Sequence, residues 1–210
     1  MSSKNIIQPK QQRSKDTQTK LLAALHACLQ DKFFEQITIK ELAEEAGVSV
    51  GTFYRRFKDK ESLLPLLYQE FGQDLQAWVD SLEHNNFCSL TDALERVCRD
   101  TFLFLQSKKA VFRTLHLNSR LQSNLIASDK RVDRRKIYLQ ISDIFLRFKG
   151  EVRGENAGEI ADMAVFIIIT TLLEKVLYPE LTPAIASDDS AEALAEQLPK
   201  ILLPYFISPA

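Results

Sequence analysis

Between Ser49 and Phe57 the chain reads Ser-Val-Gly-Thr-Phe-Tyr-Arg-Arg-Phe, and as a helix this run has two unlike faces. Phe53 and Phe57 stand one turn apart and can face inward, which leaves Gly51, Thr52 and Arg55 on the other side with Tyr54 and Arg56 flanking them. A small, polar and cationic face fits the major groove of a DNA duplex. There Arg55 could clamp guanine O6 and N7, worth about 1–3 kcal/mol of discrimination between bases. Tyr54 and Lys60 would grip phosphates, which fixes register without reading sequence. Gly51 weakens such a helix by about 1 kcal/mol, and close approach of a duplex accounts for its presence.

The elements around this run are written in capping signals. Thr38 with Glu41 three residues on is a capping box, and Ile37 with Leu42 can close over it as a hydrophobic staple, so a short helix is predicted from Ile39 to Ala46. Gly47 stands where a left-handed residue would end that helix, and Ser49 caps the next one, predicted to run to about Phe57, with Val48 and Phe53 as its staple. Small Ala43 stands where the two helices must approach. Two short helices joined by a glycine-containing turn match a helix-turn-helix, for which a plain αα-corner is the bland alternative. In front of them a helix from Ser14 or Asp16 to about Lys32–Phe34 carries Leu21, Leu22, Leu25, Cys28 and Leu29 on one face.

The remainder of the 210 residues reads as further helices. Asp59 caps one that runs to about Leu82, with Pro65 placed to kink or restart it. Others are predicted at about Leu90–Ser107, Ala110–Asn118, Ser128–Lys149, Glu155–Tyr178 and Ser190–Tyr205, the last with Pro199 in its interior. The run Ile167–Thr171 suits a strand by propensity, yet it lies in a long stretch without a turn signal and is read as helix. Six glycines and seven prolines are too few for a turn-dense β-sandwich, so the fold class is all-α.

Composition narrows the function classes. With 45% hydrophobic and 26% charged residues the chain is an ordinary globular protein. Its longest apolar run, Met163–Leu173, is far short of the roughly 20 residues that cross a bilayer, so no membrane partner is expected. Cys28, Cys88 and Cys98 are odd in number and lack CxxC spacing, which suits a reduced, cytoplasmic protein. Net charge is −1 overall, but residues 1–20 carry five cations against Asp16 alone, so positive charge gathers in front. His26, His84 and His116 are scattered, and there is no HExxH, GxSxG or phosphate-cradling glycine loop; neither an enzyme, a metal site nor a cofactor is expected.

From Thr38 through Leu64, TIKELAEEAGVSVGTFYRRFKDKESLL, the chain closely resembles the TetR (tetracycline-repressor-like) family of bacterial transcriptional regulators. With the first-helix stripe from Leu21 the resemblance covers about 50 residues, a quarter of the chain. It implies an all-α homodimer with a three-helix DNA-binding domain and a helical effector-binding and dimerisation domain. The corresponding boundaries are a flexible basic arm over 1–13, a helix-turn-helix domain over 14–58 and a helical domain over 59–210. Position by position, Thr38, Tyr54, Arg56 and Lys60 match phosphate-contacting positions, and Ser49, Val50, Gly51, Thr52 and Arg55 match the groove-facing start of the recognition helix. Arg56 stands where histidine is common in the family.

The partners expected on this reading are double-stranded DNA, a second copy of the chain and a small-molecule effector of apolar or aromatic character that releases a repressor from a palindromic operator. Trp78, Phe102, His116, Tyr138, Phe145, Phe166 and Thr170 are the aromatic or polar side chains that could line an effector cavity. The dimer surface is expected from the last two helices, with Ile168 and Leu172 on one and Leu194, Leu198 and Leu202 on the other. The rival reading is a helical homodimeric adaptor whose front module binds a protein partner.

Overall fold

A computed structural model describes residues 10–121, 133–152, 156–180 and 187–207. Among these residues all regular structure is helical: α1 Lys10–Asp31, α2 Ile39–Glu45, α3 Val50–Tyr54, α4 Leu64–Glu83, α5 Leu90–Ser107, α6 Lys109–Leu121, α7 Arg134–Leu146, α8 Ala157–Leu177 and α9 Ala191–Ile207. Two 3₁₀ turns, Phe34–Gln36 and Lys60–Leu63, complete the order. None of the helices is long and apolar enough to cross a membrane, among the described residues.

In the front part of the chain three boundaries differ from the sequence expectation. Helix α1 starts at Lys10, so Lys10–Arg13 are helix rather than arm. Lysine, glutamine and arginine are good helix formers, and they extend a helix without an apolar periodicity in the sequence to announce it. Residues 1–9 of the expected arm, and Ser128 as a helix start, lie outside the described residues. Helix α3 ends at Tyr54 with Arg55 as its C-cap, one turn short of Phe57. Pro65 occupies the first turn of α4, after a 3₁₀ turn capped by Asp59. There its missing N–H interrupts no helical bond, so the helix restarts ahead of the proline instead of kinking at it.

The described residues fall into two compact units. Residues 10–70 with 113–121 form one; 71–112 with everything from 133 onward form the other. The grouping is discontinuous in sequence and does not follow a single cut after residue 58, because α4 and α6 are each divided between the units.

In the first unit α1 packs on α2 and α2 on α3. Leu21, Leu25 and Leu29 of α1 meet a core that includes Phe34, Ile37, Leu42, Phe53 and Leu63, all buried. In the second, α5 packs on α7, α8 and α9, and α8 also on α7 and α9. Phe145 meets Phe206 edge-on at 5.6 Å, while Trp78 stacks on Phe104 at 4.6 Å and Phe71 meets Phe112 edge-on at 4.5 Å. Helix α8 takes the Ile167–Thr171 run without a break, since its inner side, Ala161, Ala164, Val165, Ile168 and Leu172, is covered by neighbours. Tertiary burial overrides the β-propensity of that run.

Candidate nucleic-acid interface

The turn that presents α3 is held as its residue types require. Thr38 Oγ1 accepts from the Glu41 N–H at 3.2 Å, and Glu41 Oε2 accepts from the Thr38 N–H and hydroxyl, each at 2.8 Å. The Glu41 carboxylate also takes the Lys32 ammonium at 2.5 Å. The lysine first, then the two Thr38 bonds, hold the Glu41 carboxyl at about 2. Ala46 ends α2; Gly47 follows at φ 64°, and the Val48 N–H donates to the Ala43 carbonyl at 2.9 Å. That is a Schellman closure, and it needs glycine for its backbone angle. Ser49 then caps α3, accepting from the Thr52 N–H at 3.1 Å.

The outer side of α3 carries one connected polar ridge. The Arg55 guanidinium donates to Thr52 Oγ1 at 2.8 Å, and that hydroxyl lies 2.9 Å from Ser49 Oγ. Either hydroxyl can donate across that contact, and the three side chains align at i, i+3 and i+6. Ser49, Val50, Gly51, Tyr54, Arg55 and Arg56 are exposed and Thr52 half-buried, whereas Phe53 is fully buried and meets Phe57 at 5.6 Å. Tyr54 is 57% exposed. A Cβ added at Gly51 would meet only Ser49 Oγ, at 3.8 Å, so nothing within the chain demands glycine there.

Two cations expected at phosphates are engaged inside the unit. The Lys60 ammonium donates to the carbonyls of Phe34, Glu35 and Ile37 at 2.8, 2.9 and 2.9 Å and lies 4.9 Å from the Phe34 ring centre. An ammonium has three donors, and all are used. Arg56 donates to the Gln18 side chain of α1. Arg55 and Tyr54 are left to project from α3.

Residues 21–71, which span α1 to the start of α4, match the family model described as bacterial regulatory proteins, tetR family. The fold likeness extends further: a TetR family transcriptional regulator, PfmR, from Thermus thermophilus superposes with a TM-score of 0.61, covering 87% of this chain and 96% of that one at 16% identity. Over residues 21–71 the chain carries a tetR-family module, and along most of its length it shares the fold of such regulators. The match supports a DNA-binding transcriptional regulator, and regulators of the tetR family are typically dimeric and generally not enzymes. Two curated Bacillus subtilis (strain 168) proteins are also similar. The uncharacterized HTH-type transcriptional regulator YxbF is 30% identical over 93 residues, 44% of this chain, and the chain spans only 24% of that protein's length. A fatty acid metabolism regulator protein is 29% identical over 154 residues, 73% of this chain and 74% of its own.

The side chains expected around an effector do not all converge. Phe145 is core, packed on Phe206; Trp78 is stacked on Phe104; Phe102 lines a groove between α5 and α9. His116 belongs to the other unit. Tyr138, Phe166 and Thr170 do share a cavity, of about 460 Å³, between α7 and α8, together with Arg135, Leu139, Ser142, Asp162, Val165 and Ile169. Arg135 and Ser142 escaped notice in the sequence. For Ser142 the available signal was a polar residue set in the buried stripe Ile137, Ile141, Ile144 and Phe145.

Most of the residues expected at a dimer surface lie inside the single chain. Ile168, Leu172, Leu198 and Leu202 are buried within the single chain, and Leu194 is half-buried. An apolar stripe marks the face a helix buries first, and here α5, α8 and α9 cover that face in one another. The large apolar side chains left exposed on α8 and α9 include Met163 at 47%, Ile201 at 62% and Tyr205 at 46%. Cys28 and Cys98 show no reactive environment: burial pushes the Cys98 thiol up to about 12 and raises that of Cys28.

Proposed function

We propose that this chain is a dimeric, sequence-specific repressor that reads a two-fold symmetric operator through α3 and releases it when a small, largely apolar effector binds the helical unit. The observation that supports it most is the Ser49–Thr52–Arg55 ridge: outward-facing, pre-aligned by its own hydrogen bonds, and mounted on a helix whose glycine the chain itself does not need. Arg55 reads bases; Thr38, Tyr54, Arg56 and the start of α3 position the phosphates, with Ser49, Val50, Gly51 and Thr52 against the groove. Lys60 moves from phosphate ligand to brace. The second copy meets the exposed Met163, Ile201 and Tyr205 surface of α8 and α9, and the dimer works where DNA is, in the cytoplasm.

Effector release follows from linkage: a ligand that favours the form with misaligned recognition helices lowers operator affinity by the same coupling energy. The test is selection of bound sites from a randomised duplex library at physiological salt with the full-length protein. A two-fold symmetric motif with half-sites one helical turn apart, or a multiple of it, is expected. Absence of any enriched motif overturns the reading in favour of an adaptor that binds a protein partner.

A further inference from the structure

The cavity between α7 and α8 combines three features that the fold does not use. Ser142 is 2% exposed, lines the cavity, and its Oγ makes no hydrogen bond among the described residues. A helical serine normally avoids that cost by bonding back to the carbonyl four residues earlier, and Ser142 does not. Seven residues toward the start of α7, roughly 10 Å along the helix, Arg135 opens onto the same space. Its guanidinium forms no ion pair among the described residues, although Asp162 shares the lining. It also stands between Arg134 and Lys136 in the first turn of α7, where a helix already concentrates positive charge. Between the cation and the hydroxyl the walls are apolar, chiefly Leu139, Phe166 and Ile169.

We propose that this cavity binds an elongated amphipathic monocarboxylate bearing a second hydrogen-bonding group. The carboxylate meets Arg135 in a charge-assisted pair. A hydrocarbon body of about ten carbons lies along the apolar walls and spans the seven-residue helical separation. A hydroxyl at the far end pairs with Ser142 Oγ and satisfies an oxygen that the fold itself leaves unmet. Asp162 repels a second negative charge, so the ligand is a monoanion and not a polyphosphate. This deepens the effector reading above and rests on it only for the regulatory consequence.

Calorimetric titration of the full-length protein with 10-hydroxydecanoate, decanoate and decan-1-ol, all below micellar concentrations, tests the assignment. The hydroxy acid is expected to bind about tenfold more tightly than decanoate, and the alcohol most weakly. Arg135→Gln should weaken both acids by about tenfold or more and leave the alcohol unchanged. Ser142→Ala should erase the advantage of the hydroxy acid without lowering the melting midpoint, because it removes an unpaired hydroxyl rather than a bond. Equal binding of the three probes, no binding, or an advantage that survives Ser142→Ala would overturn the site. The operator duplex is titrated in parallel: acid binding without operator binding keeps the site and removes the regulator, and operator binding without acid does the opposite.

Discussion

Replacing Gly51 by alanine pushes stability and DNA affinity in opposite directions if α3 enters the groove. Gly51 lies in the first turn of α3, after the Ser49 cap, and among the described glycines only Gly47 has a left-handed backbone. The new methyl meets nothing closer than Ser49 Oγ at 3.8 Å, an ordinary contact. Alanine is the better helix former by about 0.5–1 kcal/mol, and this close to the helix start the gain should fall toward the lower end. The free protein should therefore unfold at slightly higher urea. On DNA the same methyl occupies the closest approach, and displacing even one bidentate base contact costs about 1–3 kcal/mol, a loss of roughly fivefold to 150-fold. Fluorescence anisotropy on the selected operator at fixed salt reads the second effect and urea unfolding the first. A stabilised variant with unchanged operator affinity would refute the groove assignment and favour a partner surface that tolerates a methyl.

Arg55→Ala should relax preference at one base pair per half-site, by about 1–3 kcal/mol, with little change elsewhere; a panel of single-base operator variants checks this, and a uniform loss at every position would mean that Arg55 reads phosphate. Lys60→Met strips the bonds to three carbonyls and should cost about 2–4 kcal/mol of unfolding free energy while leaving the log–log salt slope of DNA binding unchanged. The opposite result, intact stability and a slope reduced by about 1 per subunit, would return Lys60 to the phosphates. For Glu41 the folded pKa lies below the ordinary 4.5, so its contribution is complete above that value and lost as pH falls toward about 2. Glu41→Gln should accordingly be less stable than the parent at neutral pH, with the difference vanishing in acid unfolding between those limits; a difference independent of pH would assign the effect to packing.

The turn chemistry was legible because it is local. A threonine three residues before a glutamate, or a glycine after a helix, carries its geometry within a few residues, and Thr38, Glu41, Gly47 and Ser49 all take the roles their types imply. Interactions between distant residues were not legible in this way. Periodicity identified Ile168, Leu172, Leu198 and Leu202 as apolar stripes, but which neighbour covers a stripe depends on how whole helices pair, and one chain covers these. Composition counted Lys60 as an available cation. Only the fold reveals its stem turned back on three carbonyls some 23 to 26 residues away in sequence. The α7–α8 cavity is a product of the same pairing, so three of seven named side chains reached it by being on the right helices.

Much of the charge in the first unit braces the segment from Lys32 to Ile37. Arg113 lies 4.1 Å over the Phe33 ring and donates to the Lys32 carbonyl, Asn118 donates to the Glu35 carboxylate at 3.2 Å, Lys60 takes three carbonyls and Lys32 itself holds Glu41. These bonds fix the base from which α2 and α3 project, at the expense of cations that could have met phosphates. On the proposed reading, base discrimination then rests largely on Arg55, one per subunit, worth at most about 3 kcal/mol. A regulator must prefer its site over bulk DNA by about 4–10 kcal/mol. One α3 falls short of that range; two, reading symmetric half-sites, enter it at about 6, and the Ser49–Thr52 ridge and DNA shape have to supply the remainder. On the proposed operator reading, the bond inventory of α3 therefore calls for a dimer, as family likeness also does.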